Sequence, residues 1–495
     1  MNALIPDFTF WQWILFTIEL VVKILALGVV PDGRKPSAAN GWLLLIFFLP
    51  LAGVPLYLLM SSSFVSARRH RIQQEANVMI SDRQADLPNY PGSVEFSAEV
   101  ESILSLNRKL TGFPAVTGHN KGFWADYDMA IRRMAEVVDS AEKYVYVEIY
   151  IQAWDETTEV FYRSLERAVQ RGVQVRLLYD QIGSLKYPGF LKLGKRFTEI
   201  GVDWHTMLPL APWRFRFRRP DLRNHRKILV VDGRVGFIGS LNMIDRGYLV
   251  RNHVRASRQW IDLMVELTGP IVTSLEAVFA VDWYTESGEA LDISAPADHE
   301  PEVTDDVNVV QMLPSGPGYT TEPNLRVFNS IIHHAKERLT ICSPYFIPDE
   351  AMMEAVTTAC YRGVRVDLLV SEQADQFMVH HAQSSYYQQL LEAGVNIWQF
   401  PAPYVLHTKF VVADPGESGN DAMGAFGSSN LDMRSFGLNY ESTLVVAKGN
   451  LLDQLYELGE IYKSVSCRIT LMQWNQRGFW RRYIDNIMRL TSALQ

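Results

Sequence analysis

Cysteine is scarce in this chain: Cys342, Cys360 and Cys467 are the three among 495 residues, widely spaced and with no C-x-x-C pair. That pattern supports neither a disulfide framework nor a thiolate zinc site, and it fits a reducing compartment. Positive charge is also in short supply. Lys and Arg number 47 against 55 Asp and Glu, a formal net charge of −8, so the chain has no global electrostatic hold on a polyanion and no nucleic-acid partner is expected. Low-complexity segments are missing too. With 48% hydrophobic residues, the chain has the material for several packed cores, and disorder is not its default state.

Apolar residues are concentrated at the N-terminus. Residues 8–30 and 41–60 form two runs, each close to the ~20 residues of a bilayer-spanning helix, separated by a short polar loop at 31–40. No basic region precedes the first run, and a second run follows at once, which argues against a cleaved signal peptide. The expectation is a two-helix transmembrane hairpin within residues 1–66. Glu19 and Lys23 stand at i,i+4 inside the first run, where each softens the other's cost of insertion. Pro50 and Pro55 predict kinks in the second. Arg68, Arg69 and Arg71 after the second run, against Arg34 and Lys35 in the loop, favour a cytoplasmic catalytic region on a multi-pass membrane protein.

Beyond a polar juncture (67–111), the sequence repeats itself. AEKYVYVEIY from Ala141, RGVQVRLLYD from Arg171, IGVDWH from Ile200 and NHRKILVVDG from Asn224 recur in the same order. Their counterparts are AKERLTICSPYF from Ala335, RGVRVDLLV from Arg362, AGVNIWQF from Ala393 and LHTKFVVAD from Leu406. Each unit alternates β-branched and aromatic runs with amphipathic stretches, the pattern of an α/β sandwich with buried strands. The units are expected at 112–290 and 306–495, joined by an acidic, Ala- and Pro-containing linker at 291–305.

Both units carry H-x-K-x4-D: His225, Lys227 and Asp232 in the first, His407, Lys409 and Asp414 in the second. On a strand, His and Lys two residues apart point to the same face. Each motif is followed by G-S-x-N, giving Ser240 with Asn242 and Ser428 with Asn430. One such match is weak; two at equivalent places in a duplication are a strong signal. The twelve residues between Asp414 and Gly427, against six between Asp232 and Gly239, are read as a longer hairpin turn between unmoved strands.

With these motifs, and with YDQIGS at Tyr179, SPYFIPDE at Ser343, GSSNLDMRSFGLNYE from Gly427 and the N-terminal hairpin, the chain resembles the bacterial cardiolipin synthases of the phospholipase D superfamily. The resemblance implies a duplicated phospholipase D-like α/β sandwich whose units share one active site. It also implies phosphatidyl transfer between two phosphatidylglycerol molecules in a bacterial cell membrane, through a phosphohistidine, without cofactor or metal. The catalytic set would be His225, Lys227, Asp232, His407, Lys409 and Asp414, with His225 as nucleophile and His407 as general acid/base. The two aspartates would act structurally at strand ends.

Ser240, Asn242, Ser428 and Asn430, with the lysines, would supply donors to the phosphate. Asp262 and Glu441 would orient the imidazoles. The competing activities are a phospholipase D that passes the group to water and a nucleic-acid phosphodiesterase. Lysines beside the histidines would repel a divalent cation, which speaks against a metal-dependent phosphodiesterase. The basic-aromatic run 212–219 and the C-terminal amphipathic segment around Trp480, Arg481 and Arg482 are each read either as solvated surface or as contacts for anionic headgroups. The pairs His333–His334 and His380–His381 are read as packing or surface residues. Oligomeric state is not legible.

Overall fold

The computed structural model describes residues 9–32, 36–60, 72, 74–75, 78, 87–211, 216–217, 219–293, 307–319, 321–416 and 421–492. Arg34, Lys35, Arg68, Arg69 and Arg71, the charges used for orientation, lie outside the described residues, as do most of the 212–219 run and of the 291–305 linker.

The duplication is visible in the sheet. Strands Ala115–Trp124 and Val307–Ser315 pair antiparallel at the centre. Outward from the first run Met264–Thr268, Val235–Gly239, Lys227–Val231, Tyr144–Ile149, Gln174–Asp180 and Asp203–Met207. Outward from the second run Asn439–Lys448, Met423–Gly427, Phe410–Ala413, Arg338–Cys342, Arg365–Ser371 and Asn396–Phe400, the same order in mirror succession. The motif hairpins match despite their unequal turns: Ile228 to Val231 pair with Ile238 to Val235, and Phe410 to Ala413 with Phe426 to Met423. The extra residues after Asp414 therefore lengthen the turn and leave the strands in register.

The strands Tyr144–Ile149, Lys227–Val231, Arg365–Ser371 and Phe410–Ala413 are buried along nearly their whole length, as expected where helices cover both faces. The helix Ile271–Ser287 is apolar on most of its circumference and lies under the first half; Asn450–Val465 takes the equivalent place in the second.

The N-terminal segment departs from a two-span hairpin. Phe10–Val29 is one continuous apolar helix, long enough to cross a bilayer, with Lys23 and Glu19 paired at 2.5 Å. The second run is instead two short helices, Pro36–Phe48 and Pro50–Met60. Pro50 lacks the N–H that would continue the first of them, and it biases Leu49 out of the helical region. The two then fold on each other so tightly that a Cβ on Gly53 would sit 2.8 Å from the Cα of Ile46. At 13 and 11 residues, neither reaches the ~30 Å hydrocarbon thickness by itself.

Candidate active site

Two short parallel bridges stitch the halves together beside the motifs. Arg223–Asn224 of the first half pairs with Asn439–Tyr440 of the second, and the next residues along, His225 and Glu441, come face to face. Gln259–Ile261 of the first half pairs with Tyr404–Leu406 of the second, which delivers Asp262 to His407. The backbone N–H groups of the two histidines complete these bridges, His225 to the Tyr440 carbonyl and His407 to the Ile261 carbonyl.

Each imidazole is consequently held by a carboxylate from the other half. His225 Nδ1 lies 3.0 Å from Glu441 Oε2, and His407 Nδ1 lies 2.7 Å from Asp262 Oδ1. The rings face one another with centroids 6.5 Å apart and planes at 84°. A carboxylate on Nδ1 fixes the proton there in the neutral ring and turns an unprotonated Nε2 outward.

Burial lowers the pKa of His225 to about 4; Glu441 opposes the shift, and Lys227 and Lys409 add to it. Burial likewise lowers that of His407 against the pull of Asp262. Both carboxylates stay below their ordinary values: burial pushes them up, but the histidines, lysines and serines around them more than offset it. The pairs are therefore neutral imidazole with carboxylate, ready for an anionic substrate whose charge would raise the histidine pKa values.

Lys227 and Lys409 are fully buried, and each ammonium donates to the carbonyl of the histidine two residues before it. Burial depresses both, Lys409 to about 8. An arriving phosphodiester would restore their charge where the phosphoryl oxygens need it.

The G-S-x-N serines stand on the orienting carboxylates. Ser240 donates its hydroxyl to Asp262 at 2.6 Å and Ser428 donates to Glu441 at 2.6 Å, so their protons are spent on the orienting carboxylates. The glycines before them explain the reach. A Cβ on Gly239 would lie 2.1 Å from the Leu263 carbonyl oxygen, and one on Gly427 would lie 2.3 Å from that of Ser442; only glycine lets these backbones close. Asn242 donates its amide to the Tyr248 hydroxyl and accepts from the Ile151 N–H. Asn430 is buried, with its side-chain Oδ1 unpartnered among the described residues.

Asp232 and Asp414 do not meet the histidines. Each stands at positive φ at a strand end and accepts three backbone N–H groups, from Glu142, Lys143 and Tyr144 or from Lys336, Glu337 and Arg338. They tie the motif strand to its neighbour. Of the histidine pairs, His334 contacts the Asp421 carbonyl, His381 the Asp485 carboxylate and His380 the Arg481 guanidinium. Among the described residues no group of three His, Cys, Asp or Glu could hold a metal ion.

Sequence reading missed a buried cluster behind His225. Arg226 is fully buried; it pairs with Asp282, donates Nε to the main-chain carbonyl of Glu441 and lies over the Tyr440 ring. Asn224 bridges Glu148 and Asp282. Asp282 in the middle of an apolar helix and Glu148 in the middle of an apolar strand were the available signals, since a buried carboxylate demands a partner.

Residues 134–283 and 328–458 match the family described as cardiolipin synthase, PLD-like domain. The chain belongs to this family. It is 30% identical to cardiolipin synthase A of Proteus mirabilis (strain HI4320) over 98% of this chain and 99% of that one. It is also 30% identical to cardiolipin synthase A of Wigglesworthia glossinidia brevipalpis over 97% and 95%. Among solved structures, phosphatidylserine synthase of Haemophilus influenzae Rd KW20 superposes with a TM-score of 0.56 at 14% identity, covering 79% of this chain and 99% of that one. That likeness concerns the fold.

Proposed function

We propose that this protein is a cardiolipin synthase, a phosphatidyltransferase that joins two phosphatidylglycerol molecules and releases glycerol. The observation that carries the reading is the crossed pair His225–Glu441 and His407–Asp262, facing each other across the joint between the halves in a chain of this family. In the first step Nε2 of His225 attacks phosphorus, the P–O bond to glycerol breaks, and His407, which takes up a proton at Nε2 as the charge of the bound phosphate raises its pKa, gives that proton to the leaving alkoxide. In the second, the hydroxyl of another phosphatidylglycerol gives its proton to His407 and attacks the phosphatidyl-histidine, breaking the P–N bond. Lys227 and Lys409 balance charge on the non-bridging oxygens. Asp262, Glu441, Ser240 and Ser428 hold the rings, and Asp232 and Asp414 hold the strands.

The reading places the catalytic region on the cytoplasmic side of a bacterial cell membrane, anchored through Phe10–Val29 and the folded pair Pro36–Phe48 and Pro50–Met60. Purified protein in phosphatidylglycerol vesicles tests the activity: cardiolipin plus glycerol is expected, and phosphatidic acid as the main product would make it a phospholipase D. A covalent lipid adduct trapped on His407→Ala but not on His225→Ala supports the assigned roles; the opposite result reverses them.

A further inference from the structure

A cavity opens between the halves, and neither His225 nor His407 is in its lining. It encloses about 520 Å³, within the range of small-ligand sites. Lys186, His253 and Arg258 line it from the first half, and Asp375, Phe377 and His380 from the second. Its charge is net positive in a protein whose net charge is −8. Arg258 spends its N–H groups on the Ala374 and Asp375 carbonyls and on His253, none of which cancels its charge. Asp375, the carboxylate of the lining, accepts the Tyr345 hydroxyl at 2.5 Å. Behind His380 stands Arg481, 2.7 Å away.

The cavity is tied to the reaction centre in two ways. Arg258 immediately precedes the bridging strand Gln259–Ile261 whose far end presents Asp262 to His407; at ~3.3 Å per residue the two are roughly 13 Å apart along the chain. Tyrosines fill the interval: Tyr345 on Asp375, Tyr187 against Tyr248, Tyr248 on Asn242, and Tyr150 against His225.

The mouth is apolar. Phe377 is 65% exposed, with Met378 beside it, and Phe479, Trp480 and Tyr483 are exposed on the helix Phe479–Arg489, which packs on Phe377–Ala393 and bears Arg481 and Arg482. Aromatic rings next to arginines are the composition of a surface that meets lipid headgroups.

We propose that this cavity seats the phosphate of the second, acceptor phospholipid, with Lys186 and Arg258 as its counter-ions, while the acceptor's glycerol reaches toward His407 and its chains leave over Phe377. The inference rests on the transferase reading above. The test is Lys186→Glu with Gln373→Glu, both at exposed positions on the rim, in the full chain with phosphatidylglycerol vesicles. The expected result is a rise of roughly tenfold in the ratio of phosphatidic acid to cardiolipin, from the loss of a charged contact, with Lys186→Arg restoring the wild-type ratio. An unchanged ratio in the active double variant overturns the proposal; a poorly folded variant would lose both products together.

A count of sites separates this from the transferase reading. On a His225→Ala background, dihexanoyl phosphatidylglycerol is expected to bind at two sites per chain, falling to one with the rim changes. One site in both proteins refutes the cavity's role. Inorganic phosphate competing as well as the lipid reassigns the cavity to free phosphate and overturns it too. A wild type that made only phosphatidic acid would sink the transferase reading, and the site count would still judge the cavity.

Discussion

Replacing Glu441 by Gln removes a charge while keeping the shape of the side chain. Glu441 Oε2 serves His225 Nδ1 at 3.0 Å and the Ser428 hydroxyl at 2.6 Å, in a place with no access to solvent. As His225 bonds to phosphorus, its ring acquires positive charge, so the contact strengthens on the way to the transition state. A hydrogen bond to a charged group contributes about 1.5–3 kcal/mol, against about 0.5–1.5 for a neutral one. Losing that advantage, together with the tautomer control, corresponds to a fall between about tenfold and a few hundredfold in the rate of the first step. The assay is release of headgroup-labelled glycerol from phosphatidylglycerol, with KM expected to change little. The sign of the pH response is a further check. Glu441 raises the pKa of His225 from where burial would put it, so in Glu441→Gln the acidic limb near pH 4 moves to lower pH. A variant within twofold of wild type, or a limb displaced upward, would refute this account of the carboxylate.

Further changes test other parts of the structure. Arg226→Met leaves Asp282 and Glu148 buried without their cation; breaking such a pair costs about 3–5 kcal/mol, so a lowered Tm in detergent is expected, with activity falling alongside. Gly239→Ala pushes a methyl group against the Leu263 carbonyl and displaces Ser240 from Asp262; a shift of that size costs on the order of a hundredfold in cardiolipin formation, and Gly427→Ala should behave alike. His225 has a folded pKa of about 4 against about 6.5 unfolded, so the unfolded chain binds the proton more readily. Its contribution is intact above pH 6.5 and is lost as pH falls toward 4, by up to about 3 kcal/mol; thermal unfolding of His225→Gln should accordingly vary less across that window. Dialysis against EDTA should leave cardiolipin formation unchanged, and dependence on an added divalent ion would contradict the lysine-based site.

The repeats and the two motifs were legible because they are local. His and Lys two apart on a β-branched run fix a strand face, and the four repeated segments take equivalent places in the two halves of the sheet, the motif strand lying beside the first segment of its half. What joins the halves was not legible. Asp262 and Glu441 were recognisable as orienting groups, yet which histidine each one serves depends on two bridges, Asn224 with Tyr440 and Ile261 with Leu406, that link residues distant in sequence. Ser240 and Ser428 were legible as site hydroxyls, but their contacts with Asp262 and Glu441 depend on the close backbone approach permitted by Gly239 and Gly427, which no local pattern shows. In the second apolar run Pro50 was visible as a kink, but composition alone did not show that the chain would double back there with Ile46 against Gly53.

The crossed carboxylates also bear on how the two copies could change after duplication. Neither half holds a complete histidine–carboxylate pair of its own, so a substitution at Asp262 is felt first by the opposite half, and one at Glu441 likewise. Drift in one copy cannot be hidden behind an intact sister, because there is no spare. The duplication thus provides no redundancy, and separately expressed halves would be inert alone, regaining function only when they meet.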